Sequence, residues 1–461
     1  MRALLSFGLL AVATHLACSE PAGPRPNLVL ITLDTLRADR LGVYGYERET
    51  SPVLDSIARR GVRFDDAIAQ ATTTPPSHAS ILTGLNPARH GLRKLYGQRL
   101  PDANETLAEI LRAEGYSTAA FVSAVPLRHH VGLDQGFDVY NDEWGSDAGE
   151  RSHDRGAEVT NARVRSWLES APPAPVFLWV HYFDPHHPYF PPEEYRKRFG
   201  AEKANRNFLP IPRNTNRWRS GDRLVRRPNE KAARRMSDLY DGEIAYLDET
   251  LGELLESLRT AGILANAVVA YVGDHGEHLG ENGYWFGHWD VLDETARVPM
   301  VLAHPDGRHA GTVVEETVGT IDLVPTLLSW LRLDTDLSFD GIDLTGRLEG
   351  GDLPRRALYT EQFEFFPVRA VRSGEWMLQQ RAKPKAQIRS AERILYRRKP
   401  SGEDPSRVDN EPDIRAWLSE ALDSLVAPAA RRATEKLVLP NEVRERLRAL
   451  GYSDEARGPD D

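Results

Sequence analysis

Seven residues, Asn27 to Leu33, constrain the fold more than any other stretch of the chain. They read Asn-Leu-Val-Leu-Ile-Thr-Leu, apolar at nearly every position rather than at alternate ones, and they stop at Asp34. A strand with one wet face alternates in polarity. A strand without alternation is buried on both faces, as in a parallel sheet covered by helices on each side. The rest of the chain follows the same plan. A helix over Pro52 to Arg60 comes next, from the spacing of Val53, Leu54, Ile57 and Ala58. Leu107, Ile110 and Leu111 mark a helix before a strand over Thr118 to Val122, and Glu158 to Leu168 one before Val176 to Tyr182. A long amphipathic helix, Ser237 to Arg259, precedes a strand over Ala267 to Val272, and Val298 to Ala303 continues the series. Strands alternating with helices predict an α/β fold, a doubly wound, mostly parallel sheet with helices on both faces. In open sheets of this kind the functional site lies beyond the carboxyl ends of the strands.

After about Gly350 the rhythm changes to short strand-like pieces (Ala357 to Phe363, Ala370 to Arg372, Trp376 to Gln380) followed by helices. With 461 residues, the chain accommodates one large domain over 27–350 and a small C-terminal α+β subdomain over 351–461. Residues 1–18 read as an export signal: Arg2 precedes an apolar run, Ala3 to Ala13, that is too short for a permanent membrane span. The run ends at Leu16-Ala17-Cys18-Ser19, which resembles a bacterial lipobox with His15 where leucine is usual, and Cys18 is the only cysteine. The expected location is therefore periplasmic, or the outer membrane through an N-terminal lipid on Cys18, with 19–26 a Pro/Gly linker. The net charge of −10 arises from 68 acidic and 58 basic residues spread along the chain. No basic stripe with interleaved aromatics marks a nucleic-acid partner. One segment, Lys203 to Arg235, is rich in Arg, Asn and Pro without periodicity, and reads as an irregular insertion that borders the site or simply a solvated loop.

The informative polar residues sit just past predicted strands: Asp34 after the first, Asp274 and His275 after another, Asp184 and His186 after a third. Each alone is unremarkable. Together they bring carboxylates and imidazoles to one edge of one sheet, and carboxylates that close repel one another unless a cation neutralises them. Oxygen and nitrogen donors suit a divalent metal, Zn²⁺, Mn²⁺, Mg²⁺ or Ca²⁺, as one or two ions. Donor atoms of Asp34, Asp274 and His275 are then expected within about 5 Å of one another, from metal–ligand distances of roughly 2.0–2.6 Å. A second cluster, Thr72-Thr73-Thr74-Pro75-Pro76-Ser77-His78-Ala79, runs into an apolar helix. A hydroxyl at a helix N-terminus sits where backbone N–H groups stabilise an anion, and coordination to a metal would make it a nucleophile.

Thr74-x-Pro76-Ser77-His78-Ala79 through Leu82-Thr83-Gly84, then Pro87, His90 and Gly91, resembles the signature of the sulfatase family, in the alkaline phosphatase superfamily. Asp34 in Asp-Thr-Leu-Arg-Ala-Asp, Asp184-Pro185-His186-x-Pro188-Tyr189, Asp274-His275-Gly276-Glu277, Gly287-His288 and the terminal Leu447 to Tyr452 also resemble segments of such proteins. The resemblance implies a metal-dependent ester hydrolase, an alkaline phosphatase-like catalytic domain over 27–350, and a small anionic ester substrate, carbohydrate- or lipid-linked. It implies that Asp34, Thr74, Asp274 and His275 hold one metal. Asp184, His186 and His288 then hold a second ion or contact the substrate, with His187 the alternative to His186. Thr74, His78, His186 and His288 are the candidate catalytic residues, His78 either positioning Thr74, binding the anion or only packing.

The departures bear on the substrate. Sulfatases use a formylglycine made from Cys or Ser, whereas residue 74 is Thr; the signature arginine is His78; the Gly-Lys-x-His segment is absent from Phe121-Val122-Ser123-Ala124-Val125; and the first metal motif has Thr35 after Asp34 rather than a second Asp. A sulfated formylglycine hydrate ejects sulfate by collapsing to the aldehyde. A threonine ester must instead be attacked by water, which phosphoryl groups tolerate well between metal ions. A phosphate or phosphonate ester is therefore expected ahead of a sulfate ester. The competing readings are a true sulfatase with an unmodified threonine, a phosphoethanolamine-type transferase, and a binding protein on an inactive scaffold.

Overall fold

The run that opens the main domain forms β1 (Asn27–Leu33), buried at every position. The computed structural model describes residues 23–143, 155–203, 230–281, 286–364, 367–381, 391–398, 405–427, 435–437, 441 and 444. The segment read as an export signal, with Cys18, most of the basic segment (204–229) and the terminal Leu447 to Tyr452 lie outside them. Further strands are β2 (Val62–Ile68), β3 (Gln98–Arg99), β4 (Ser117–Phe121), β5 (Val139–Asn141), β6 (Val176–Tyr182), β7 (Ala267–Gly273), β8 (Arg297–Ala303) and β9 (Thr312–Gly319). Eight of them form one sheet in the order β5-β4-β6-β1-β7-β8-β2-β9. Neighbours run parallel except at β8, which opposes both β7 and β2. β1 is thus central, with β6 on one side and β7 on the other.

Helices cover both faces. Leu28 and Leu30 of β1 pack with Ala79, Ile81 and Leu82 of the helix Thr74–Thr83, while Val29, Ile31 and Leu33 pack with Leu247, Leu251 and Leu254 of the helix Glu230–Thr260. Truncating a side chain such as Leu30 to Ala in this layer costs roughly 2–5 kcal/mol, because a cavity adds to the lost transfer energy. β2 and β9 were not legible in the sequence. β2 carries Arg63, Asp65 and Asp66 among its apolar residues and is only half-buried at these positions, so no continuous apolar run announces it.

A second, antiparallel sheet follows: β10 (Leu358–Gln362), β11 (Val368–Ser373), β12 (Trp376–Arg381), β13 (Arg393–Arg397) and β14 (Ser406–Arg407), in that spatial order. The helix Pro412–Leu425 lays Leu418 and Leu422 against Tyr359, Val371, Leu378 and Leu395. The two-residue β15 (Glu435–Lys436) pairs with β3. Among the described residues, no helix is long and apolar enough to cross a membrane.

Candidate active site

Because β6, β1 and β7 are adjacent, the residues that follow them emerge at one edge. The ladder extends one step past β1: the Asp34 N–H donates to Tyr182 O (3.0 Å) and the Asp274 N–H to Leu33 O (3.2 Å). Asp34 and Asp274 are thereby fixed side by side. The chain then turns sharply at Thr35, whose φ of 55° is a left-handed conformation costly for a β-branched residue. That turn aims the Thr35 N–H at Asp274 Oδ1 (3.1 Å), which also accepts the His275 N–H (2.7 Å). The tight turn after β7 requires Gly276, where a Cβ would stand 2.2 Å from Glu294 O.

One ligand atom from each of Asp34, Asp274 and His275 falls within 4.8 Å of the others, and all three residues are buried. It is the only such group of three or more among the described residues. Asp274 Oδ1 is saturated, but Asp274 Oδ2 and Asp34 Oδ1 are buried without a hydrogen-bond partner. Burial pushes both carboxyls well above the usual range, and the Asp34 charge pushes Asp274 further up. Leaving two buried carboxylate oxygens unpaired by the protein is costly unless a cation meets them. The donor chemistry of two carboxylates and an imidazole fits a divalent metal at this place.

Thr74 begins the helix Thr74–Thr83, with Pro75 and Pro76 in its first turn, where missing N–H groups cost nothing, and Gly84 in the left-handed region at its end (φ 66°). All ten helix residues are buried, so it runs through the interior rather than over the surface. Ser77 Oγ donates to Asp274 O (2.6 Å), tying the helix to the end of β7. The Thr74 hydroxyl lies 3.5 Å from Asp34 Oδ2 and 3.4 Å from His275 Nε2.

Three imidazoles share one arrangement. His275 Nδ1 faces Gly276 O (3.1 Å), His288 Nδ1 faces Thr72 O (2.5 Å) and His186 Nδ1 faces His187 O (2.5 Å). A carbonyl only accepts, so each Nδ1 carries the proton and each Nε2 presents a lone pair. The His275 and His288 rings are 4.3 Å apart and those of His186 and His288 6.0 Å. Burial lowers His288 to about 4 and holds His275 and His186 well below the ordinary imidazole value. His187 instead packs on Tyr189 (5.5 Å), which makes His186 the ring beside the site. Asp184 is buried two residues past β6 but does not join the converging trio. His78 is fully buried, with Nδ1 2.8 Å from Thr74 O and 3.6 Å from Asp274 Oδ2.

Sequence reasoning missed His181, Ser77 and Thr35 as site residues. His181 Nδ1 accepts the Ser123 N–H (3.3 Å), which leaves the proton on Nε2, 3.6 Å from Asp34 Oδ2. Its phase with Phe177 and Trp179 is readable, but the β1–β6 register that sets it beside Thr32 is not.

Comparison with known proteins identifies the family. The model of the family described as Sulfatase matches residues 26–333. The chain is 27% identical over 422 residues to an ulvan-active sulfatase of Formosa agariphila, covering 81% of this chain and 76% of that protein. It is 26% identical over 380 residues to an arylsulfatase of Clostridium perfringens, covering 70% and 79% respectively. Among solved structures, the phosphonate monoester hydrolase of Agrobacterium radiobacter superposes with a TM-score of 0.71 at 21% identity, covering 91% of this chain and 99% of that one. At that identity the superposition shows the shared fold.

Proposed function

The chain belongs to the sulfatase family, whose members hydrolyse ester bonds, and from that premise we propose that it cleaves phosphate diesters or phosphonate monoesters with Thr74 as nucleophile. The observation that carries this reading is the place of the Thr74 hydroxyl, at a helix N-terminus and within 3.5 Å of both Asp34 Oδ2 and His275 Nε2. Asp34 Oδ1, Asp274 Oδ2 and His275 Nε2 would hold a divalent cation. Bound there, the cation supplies Lewis acidity, lowering the pKa of the hydroxyl and offsetting the charge of the phosphoryl oxygens.

Thr74 Oγ1 attacks phosphorus, its proton passes to Asp34 Oδ2, and the bond to the leaving oxygen breaks. That oxygen takes a proton from Nε2 of His186 or His288, which enters the cycle charged; burial disfavours that charge and the adjacent anionic substrate favours it. Water then attacks the phosphorus and gives a proton to the same Nε2. The Thr–O–P bond breaks, and Thr74 recovers its proton from Asp34. His181 Nε2–H stands 3.6 Å from Asp34 Oδ2, on the oxygen that faces the hydroxyl.

A sulfate ester is the second reading, favoured by the relatives named as sulfatases, one of them active on ulvan. One experiment separates the two: rates on aryl sulfate, phosphate diester and phosphonate monoester, with intact mass of a trapped intermediate. Phosphorus substrates should be faster, with a phosphoryl mass on unmodified Thr74. Thr74→Ala should abolish turnover, while Thr74→Ser retains part of it. Sulfate hydrolysis exceeding every phosphorus substrate would replace the first reading with the second.

A further inference from the structure

His78 stands one helical turn after Thr74, where its ring reaches back to the Thr74 carbonyl. Its two nitrogens have different partners. Nδ1 is 2.8 Å from Thr74 O, an atom that can only accept, so Nδ1 carries a proton. Nε2 is 3.0 Å from Thr32 Oγ1. Trp179 Nε1, which can only donate, is 2.9 Å from the same Thr32 oxygen. Thr32 is fully buried, so its hydroxyl proton needs an acceptor, and His78 Nε2 is the one in reach. Every bond in the row then has one direction: Trp179 Nε1–H to Thr32 Oγ1, Thr32 O–H to His78 Nε2, His78 Nδ1–H to Thr74 O. Thr32 lies on β1 and Trp179 on β6, so the row ties the central sheet to the first turn of the helix that starts at Thr74.

We propose that His78 is a positioning residue, its tautomer set by Trp179 and Thr32, that fixes the backbone of Thr74 and through it the direction of the nucleophilic hydroxyl; this rests on the reading of Thr74 as nucleophile. With both nitrogens committed, His78 offers no lone pair to a cation and no free position to a substrate proton. What it supplies is orientation. Thr74 is β-branched and restricted to a small set of χ1 wells, so a fixed backbone limits the directions open to Oγ1. Nδ1 also lies 3.6 Å from Asp274 Oδ2, so the ring stands beside both the nucleophile and a candidate ligand. The histidine of the motif thus differs in kind from His186, His275 and His288, whose Nδ1 atoms face carbonyls and whose Nε2 atoms are not engaged by Thr32.

The test is a double-mutant cycle together with a direct reading of the tautomer in the full-length, metal-loaded protein. Thr32→Val removes the hydroxyl at constant shape. It should lower kcat about 10- to 100-fold with KM and metal content unchanged, because a slightly misdirected nucleophile loses rate rather than binding. In His78→Asn the amide N–H can occupy the place of Nδ1–H and no longer needs Thr32, so it should retain more turnover than His78→Leu. Adding Thr32→Val to His78→Asn should then cost nothing further. Side-chain ¹⁵N NMR should show the His78 proton on Nδ1 in wild type and a loss of that preference in Thr32→Val. A proton on Nε2 in wild type, or additive effects of the two substitutions on kcat, would overturn the proposal. If Thr74→Ala keeps its activity the nucleophile reading fails by itself, and the NMR arm still decides the hydrogen-bond row.

Discussion

The pairs Asp66–Asp293 and Asp34–Asp274 are treated in opposite ways. Asp66 and Asp293, where the C-terminal sheet meets the main domain, share one guanidinium: Arg398 Nη2 is 2.6 Å from Asp66 Oδ1 and its Nε 2.9 Å from Asp293 Oδ2. Thr317 Oγ1 adds a bond to Asp66 Oδ2 (2.6 Å) and Arg372 stands 3.4 Å from Asp293. Burial pushes the Asp66 carboxyl up, and the Arg398 guanidinium overrides this and holds it below the usual range. Among the described residues, Asp34 and Asp274 have no arginine or lysine between them, keep one buried oxygen each without a protein hydrogen-bond partner, and are pushed up instead. The first pair carries its own counter-ion on the chain and is closed. The second leaves the place of the counter-ion open, which is the difference between a clamp and a binding site.

The largest effect that sharpens this contrast is expected in Asp274→Asn. The substitution keeps the shape and the bonds from the Thr35 and His275 N–H groups but removes an anionic donor. Turnover should fall roughly 10³-fold or more, since metal stabilisation of the transition state supplies several kcal/mol. Metal content should fall with it, while the metal-free protein should be no less stable than wild type. Full occupancy with near wild-type turnover would break the assignment. Arg398→Ala should do the reverse. It leaves Asp66 and Asp293 without their cation and should cost about 3 kcal/mol in denaturant unfolding, with metal bound per folded molecule unchanged. Loss of metal without loss of stability in this variant would erase the distinction between the two pairs.

Much of the open pair was legible before any coordinates. Continuous apolar runs ending at Asp34 and at Asp274-His275 locate the edge, since a buried strand that stops at a charge has nowhere else to put it. Asp184 reads the same way, and only its placement in three dimensions separates it from the trio. His181, Ser77 and the Thr32–His78 bond depend on β-strand register and on which helix face meets the sheet, and neither leaves a one-dimensional trace. The closed pair was not legible as a pair: Asp66, Asp293 and Arg398 are far apart in sequence, and no one-dimensional pattern links them.

A chelator gives a smaller effect that acts on one pair alone. Stripping the metal should lower the unfolding free energy by about 2.7 kcal/mol if the ion had been present at 100 times its Kd, and should leave Arg398→Ala with the same increment as wild type. An increment that vanishes in Arg398→Ala would mean that the two clusters are not independent.

The smallest effect is the dependence of that increment on pH, and its sign follows from the open pair. In the metal-free fold, burial raises the Asp34 and Asp274 carboxyls well above the usual 3.8. Over the window from about 4 up to those raised values the folded chain holds more protons than the unfolded one, so the carboxyls make metal-free stability fall as pH rises. His288, lowered to about 4, acts in the opposite direction: its contribution is present above about 6.5 and is lost as pH falls toward 4. A divalent cation must displace the carboxyl protons, whereas His275, held well below the ordinary value by burial, already presents a lone pair. The stabilisation on adding Mn²⁺ should therefore grow between pH 5.5 and 7.5, by at most about 1.4 kcal/mol per pH unit for each proton released. Thermal unfolding with and without Mn²⁺ at the two pH values reads this directly, and calorimetry in buffers of different ionisation heat counts the protons. Equal increments at both pH values, with no proton release, would show that the carboxyls are ionised without the metal. The open pair would then have a counter-ion of its own, and its contrast with the closed one would disappear.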